Sequence, residues 1–426
     1  MWAKSYPVIV LLILLASSST IPLRVVVHAQ SPPLLPIPQV IILLGDSYAS
    51  GNGAGNYIGG NVGECYRSTT TWGAQFAQSI RSTSTGTSTF INRGCSGGRF
   101  ADILNDRPLG VIAKDGNGTC PVPPSGSDEY YTNNVGSSTC NRLLKSQIQT
   151  LNSTVVDLVL LAMGGNDMQF ENLVKKCLIF GLRDASDCQD QINFVRNYAA
   201  TWTQQLSNVL VAMAPLLKPT ARVIVLQFPH IVQNTPFSFS ELFGGGSIEI
   251  TNNLRSLGSV LDDSQRTAVT MANNAVNRTF VLYYDQVKTV FEGHEPHPSA
   301  FTDNPNAWVY EGSAPITAEI YHLNPIGHAQ LAIALYNYIV PLVPPIPAPV
   351  ASPVAPTTPV SPVASSPMGT TPTVVVAPVP TPIRLAPVPP PVILDPPTTT
   401  APITAPTRRR GGFLSTLFRF LFGWLF

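Results

Sequence analysis

Apolar residues fall along this chain in two recurring patterns. Unbroken runs occur at Val40-Ile41-Ile42-Leu43-Leu44, over Val155–Met163 and within Ala221–Phe228. A strand covered on both faces reads this way, because successive side chains point to opposite sides and both sides must be apolar. Two shorter stretches, Thr89–Asn92 and Thr279–Tyr284, also read as strands. Between these runs, apolar residues recur three and four apart in Thr71–Arg81, Arg99–Leu104, Leu143–Leu151, Ile192–Leu217, Asp262–Asn277 and Pro325–Tyr338. That spacing gathers them on one face of a helix. Asn324 is placed to cap the last helix, with Pro325 in its first turn. Five strands alternating with helices predict right-handed crossovers and a parallel sheet with helices on both faces. Residues 51–63, 106–141 and 230–260 break both patterns and read as loops.

The two ends have a different character. Lys4 precedes an apolar run, Val8–Ala16, and Val27-His28-Ala29 offers a small-x-small cleavage site before Gln30. This predicts a signal peptide over residues 1–29 and a secreted protein, with one folded domain occupying 30–341. Of 41 prolines, 22 lie between Pro341 and Pro406, where only Arg384 and Asp395 carry charge. Such a segment builds no core, so residues 342–407 read as an extended Pro/Thr/Ser stalk. Residues 408–426 begin with Arg408-Arg409-Arg410 and end in an apolar tail, Phe413–Phe426. Its length as a helix, about 21 Å, falls short of the roughly 30 Å bilayer core. Association with a membrane surface or cell wall is the better expectation, led by the basic cluster.

Charge narrows the partners. Twenty-five Lys and Arg against 24 Asp and Glu leave a net charge of +1, which implies no nucleic-acid partner. A monomer is expected. Cys65, Cys95, Cys120, Cys140, Cys177 and Cys188 make an even count after a leader, hence three disulfides. Six cysteines allow 15 pairings; the nearest-neighbour set is favoured. None has zinc-like C-x-x-C spacing, and no metal or organic cofactor is expected. His294, Glu295 and His297 are assigned to a loop rather than a metal cluster. The Gly-rich loop 51–63 lacks the lysine of a phosphate cradle. Asn117, Asn152 and Asn277 head glycosylation sequons.

Polar residues sit where the apolar runs stop. The first run ends on Gly45-Asp46-Ser47 and the second on Gly164-Gly165-Asn166-Asp167; Cys95-Ser96-Gly97-Gly98 follows the short strand near residue 90. Open parallel sheets collect their ligands at these strand ends. His322 lies just before the last helix. A hydroxyl needs an adjacent base to act as a nucleophile, and an imidazole is such a base. The N–H groups of Ser47 and Gly97 and the Asn166 amide are candidate donors to a developing oxyanion. Asp46 and Asp167 are read as scaffold hydrogen-bond partners, and His328 as structural.

Taken along the chain, with Gly45-Asp46-Ser47 as the first motif, Cys95-Ser96-Gly97-Gly98 as the second, Gly164-Gly165-Asn166-Asp167 as the third and His322 last, these four blocks over residues 40–338 resemble the SGNH/GDSL hydrolase family. Gly45-Asp46-Ser47-Tyr48-Ala49-Ser50-Gly51, Cys65-Tyr66-Arg67-Ser68, Cys95-Ser96-Gly97 and Gly293-His294-Glu295 are similar in style to its secreted, disulfide-containing actinobacterial lipases and esterases. The resemblance implies a flavodoxin-like three-layer α/β/α sandwich with a five-stranded parallel sheet, and supports the nearest-neighbour cystines. It implies Ser47 as nucleophile, His322 as base, and Ser47, Gly97 and Asn166 as oxyanion hole. The family places Asp three residues before the histidine; here Glu319 stands there, so either its side chain or its own main-chain carbonyl orients His322. The implied substrate is a lipid or acylglycerol ester. The alternatives are an acetylated or feruloylated polysaccharide and, in another class, a catalytically dead surface or adhesion protein on this scaffold.

Overall fold

The computed structural model describes residues 37–58, 65–83, 88–123, 127–240, 246–299, 302–311 and 317–342. The leader, the stalk beyond Leu342 and the tail lie outside the described residues. The strands are β1 (Val40–Gly45), β2 (Thr89–Asn92), β3 (Arg107–Ala113), β4 (Glu129–Asn133), β5 (Thr139–Leu144), β6 (Leu158–Ala162), β7 (Arg222–Leu226), β8 (Ser238–Ser240), β9 (Ser247–Glu249) and β10 (Val281–Tyr284). The helices are α1 (Ser47–Ser50), α2 (Trp72–Thr83), α3 (Phe100–Leu104), α4 (Phe170–Cys177), α5 (Ala185–Met213), α6 (Thr251–Val276), α7 (Val287–Phe291) and α8 (Pro325–Ile339).

The five expected strands form one sheet in the order β10-β7-β6-β1-β2, with every pairing parallel. Counted along the sheet strands alone, this is the doubly wound order 2-1-3-4-5 of flavodoxin-like folds. Alternation within each run serves two cores. Ile42, Leu44, Val159, Leu161, Val223 and Val225 pack toward the layer holding α3, α4, α5 and α6. Ile41, Leu43, Leu158, Leu160, Ile224 and Leu226 pack toward α2, α7 and α8. Each such side chain contributes about 1.5–3 kcal/mol on burial, which is why these positions are apolar without a break. Asn324 caps α8 by accepting from the Gly327 N–H at 2.9 Å, with Pro325 first in the helix.

Three expectations about local structure are corrected. Residues 106–141 are not a structureless loop: β3, β5 and β4 build an antiparallel sheet of their own. Leu143–Leu151 is not a helix; its first residues end β5, and a single 3-10 turn follows at Gln147–Thr150. Leu143 and Leu144 have cross-strand partners on both sides, Pro108 and Arg107 on β3 and Tyr130 and Glu129 on β4, and that pairing overrides their helical spacing. Residues 230–260 hold the β8–β9 hairpin and the first ten residues of α6. Helix α4 had no counterpart among the expected elements.

The cystines are Cys65–Cys95, Cys120–Cys140 and Cys177–Cys188. The first anchors the turn after β2, the second staples the antiparallel insert, and the third ties α4 to the start of α5. Asn117, Asn152 and Asn277 are all exposed. No described helix is long and apolar enough to cross a membrane.

Candidate active site

Strand β1 ends in a turn that only glycine permits. Gly45 has φ +144°, and a Cβ there would lie 1.9 Å from the Ala162 carbonyl oxygen of β6. Asp46 then caps α1 by accepting from the Tyr48 N–H at 3.0 Å, which makes Ser47 the first helical residue. The second oxygen of Asp46 accepts from Gly164 N–H at 3.2 Å. One carboxyl therefore locks the Ser47 turn to the Gly164-Gly165-Asn166-Asp167 turn. Burial pushes this carboxyl up to about 7, against the pull of the N–H groups of Tyr48, Gly165 and Gly164.

His322 approaches from the opposite end of the sequence. Its Nε2 lies 2.7 Å from Ser47 Oγ and its Nδ1 3.1 Å from the Ile320 carbonyl oxygen. A carbonyl only accepts, so Nδ1 carries the proton and Nε2 presents its lone pair to the serine hydroxyl. Burial holds the imidazolium form down to about 4, so the ring is a neutral base at ordinary pH. The geometry depends on Tyr321, which sits at φ +58°. This left-handed residue turns the chain so that the Ile320 carbonyl and the His322 ring face each other. Tyr48 braces the turn by donating its hydroxyl to the Tyr321 carbonyl at 2.5 Å.

Glu319 takes neither of the parts foreseen for it. Its carboxylate accepts from the Tyr57 hydroxyl instead of the imidazole. Its own carbonyl accepts from the His322 backbone N–H at 3.0 Å. The carbonyl facing Nδ1 belongs to Ile320, one residue later.

The donor side is assembled from three segments. Gly97, at φ +70°, lies in the turn held by Cys65–Cys95. Asn166 donates one amide hydrogen to the Gly98 carbonyl at 2.9 Å, which leaves the second available. Among the described residues, the N–H groups of Ser47 and Gly97 have no acceptor. Gly164 is pinned by Trp202, whose indole donates to its carbonyl at 3.0 Å. Asp167 accepts from Phe100 N–H at 3.2 Å and so caps α3. Asp46 and Asp167 thus both serve as scaffold partners.

One residue went unnoticed in the sequence. Gln147, 2% exposed, accepts from Gly45 N–H at 2.8 Å and donates to Gly45 C=O at 2.9 Å. Nothing in a lone glutamine announces this, since it depends on the insert folding back. His328 is fully buried; it accepts from Trp72 N–H at 3.1 Å and donates to Asn52 C=O at 3.2 Å. It is structural, as its place in α8 suggested. His294 stacks on Trp308, Glu295 pairs with Arg255, and His297 accepts from Ser299 N–H. Among the described residues, no group of three or more His, Cys, Asp or Glu side chains is placed to hold a metal.

Beside Ser47 opens a hollow. Met168, Phe170, Leu173, Leu254, Leu257 and Leu261 are among its lining, so it is overwhelmingly apolar. It runs between α4, α5, α6 and the segment after β7.

No family profile matches the chain. It is 28% identical over 298 residues to a lipase of Streptomyces rimosus, covering 70% of this chain and 85% of that protein. It is 26% identical over 269 residues to lipase 1 of Streptomyces coelicolor, covering 60% of this chain and 71% of that one. The crystal structure of the extracellular S. rimosus lipase superposes with a TM-score of 0.48 at 24% identity, spanning 71% of this chain and all of that one. In its motif order, its sheet and its sequence, the chain resembles the SGNH/GDSL hydrolases, in the style of the Streptomyces lipases.

Proposed function

We propose that this protein is a secreted serine esterase acting on lipid or acylglycerol esters. The 2.7 Å contact between Ser47 Oγ and a neutral, oriented imidazole carries the reading. His322 takes the hydroxyl proton as Ser47 attacks the ester carbonyl, and later gives it to the leaving alcohol. The N–H groups of Ser47 and Gly97 and the Asn166 amide hold the oxyanion. Water, activated by the same histidine, then hydrolyses the acyl-enzyme. The Ile320 carbonyl orients the base in place of a carboxylate. It fixes the tautomer, but it contributes less than a full negative charge to the imidazolium.

The apolar hollow favours a fatty acyl chain over the acetyl group of a polysaccharide, since its aliphatic and aromatic walls match a hydrocarbon chain and offer an acetyl group little to contact. Secretion is supported by the leader and by three cystines, which persist in oxidising surroundings. The exposed sequons are open to glycosylation. Residues 342–426 act as stalk and surface-associating tail for a monomeric catalytic domain at 30–341.

Ser47→Ala tests the reading. Hydrolysis of p-nitrophenyl esters and labelling by a fluorophosphonate probe should both vanish while the circular dichroism spectrum is retained. Turnover near wild type would overturn it. A chain-length series of esters, set beside acetyl release from xylan, tests the substrate class.

A further inference from the structure

The antiparallel insert is attached directly behind the site. Asp106, at its root, accepts from Ser146 N–H and Gln149 Nε2, both at 2.8 Å, and from the Tyr130 hydroxyl. Next along the chain, Arg107 opens β3 opposite Leu144 of β5. Its side chain leaves the insert and reaches the second motif. Nη1 donates to the Ser96 carbonyl at 2.8 Å and lies 3.6 Å from Cys95 Sγ; Nε lies 3.9 Å from the Asp102 carboxylate. A Cβ on Gly97 would come within 3.1 Å of Nη2, so glycine also gives the guanidinium its space.

The Ser96 carbonyl and the Gly97 N–H belong to one planar, trans peptide and therefore point in opposite directions. Whatever holds the oxygen aims the hydrogen. We propose that Arg107 is a positioning residue for the oxyanion hole: by gripping the Ser96 carbonyl it turns the Gly97 N–H toward Ser47. A cationic donor on the carbonyl also polarises the peptide and strengthens its N–H as a donor. The turn's other ties constrain different atoms. Ser96 N–H donates to Cys65 C=O at 3.1 Å, and Ser96 Oγ accepts from Asn52 at 3.2 Å. Among the described residues, only Arg107 holds the carbonyl itself. Arg107 is therefore the point at which the insert acts on the site, although the insert touches neither Ser47 nor His322. This inference rests on the serine esterase reading and deepens it.

The test compares Arg107→Ala, Arg107→Lys and Arg142→Ala in the full chain on a p-nitrophenyl ester. Arg142 pairs with Glu129 inside the insert and reports on the insert's stability alone. Arg107→Ala should lower kcat about tenfold or more, short of the roughly 10²–10³ lost on deleting a donor outright, with KM unchanged. Arg107→Lys should recover most of the loss, since an ammonium can reach the same carbonyl. A trifluoromethyl ketone, which adds Ser47 to give a tetrahedral oxyanion, should weaken by the same factor as kcat. The corresponding alcohol, which forms no oxyanion, should bind as before. Arg142→Ala removes one partly exposed ion pair, a small loss beside that of a cystine, and should leave both the main melting transition and kcat unchanged. Wild-type kcat in Arg107→Ala, equal losses in Arg142→Ala, or equal weakening of ketone and alcohol would each overturn the proposal. If Arg107→Ala fails to fold, Arg107→Gln, which keeps a neutral donor, takes its place with the same ligand pair. Inactivity of the wild-type protein would instead sink the esterase reading, so the two failures are distinct.

Discussion

The parallel sheet and the antiparallel insert are held together by different physics. In β1, β6 and β7 nearly every side chain is buried, and the sheet rests on apolar contact with helices on both faces. In β3 and β4 no residue is fully buried. The insert relies on cross-links: Cys120–Cys140, Arg142 with Glu129, and Asp128 with Arg67 and Arg93. Burial pulls the guanidinium groups of Arg67 and Arg93 down to about 10, so Asp128 provides the charge that makes their enclosure tolerable. The rigid sheet supplies Ser47 and Asn166 from its strand ends. Through Arg107, the cross-linked insert supports the turn that carries Gly97. One site thus draws on a part that seldom opens and a part that can open locally.

Four measurements test this contrast. The largest effect is expected at the rigid rim: Asn166→Ala should lower kcat by roughly 10²–10³ with the melting temperature nearly unchanged. A loss under tenfold would take the amide out of the oxyanion hole.

Acidity comes next. The folded environment lowers the His322 pKa to about 4, so its basic form persists down to that pH. The acid limb of kcat/KM should lie near pH 4 and fall about tenfold per unit below it. A limb near 6.5, the ordinary imidazole value, would mean that the ring is solvated.

Replacing Cys120 and Cys140 together by alanine opens a loop with a sequence separation of 20. The cost, about 3 kcal/mol, should fall on the insert. We expect kcat to drop severalfold while the main calorimetric transition holds. A single transition at lower temperature would show that insert and sheet melt as one unit.

The smallest effect is expected from Glu319→Gln, because the amide oxygen can still accept from Tyr57 and the imidazole leans on Ile320. A kcat loss beyond about tenfold would return the carboxylate to the proton-transfer path.

Much of the sheet was legible because doubly buried strands leave unbroken apolar runs. Helix boundaries were less so. Asp184, which caps α5 by accepting from Asp187 N–H, precedes the apolar period that begins at Ile192. Gly258 interrupts the pattern of α6, yet the helix passes through it with Lys288 and His230 packed where a side chain would stand. For Glu319, spacing alone was misleading, since the three-residue offset holds but Tyr321's left-handed turn sends the carboxylate elsewhere.

Local pattern and short-range sterics were enough for the layered sheet, the three strand-end turns and the residue types that acyl transfer needs. The path of the folded chain was needed to bring the Ile320 carbonyl to the His322 ring, Gln147 to Gly45 and Arg107 to the Ser96 carbonyl. Each of these contacts joins residues through the path of the intervening backbone, and a string of side-chain identities does not encode a direction in space.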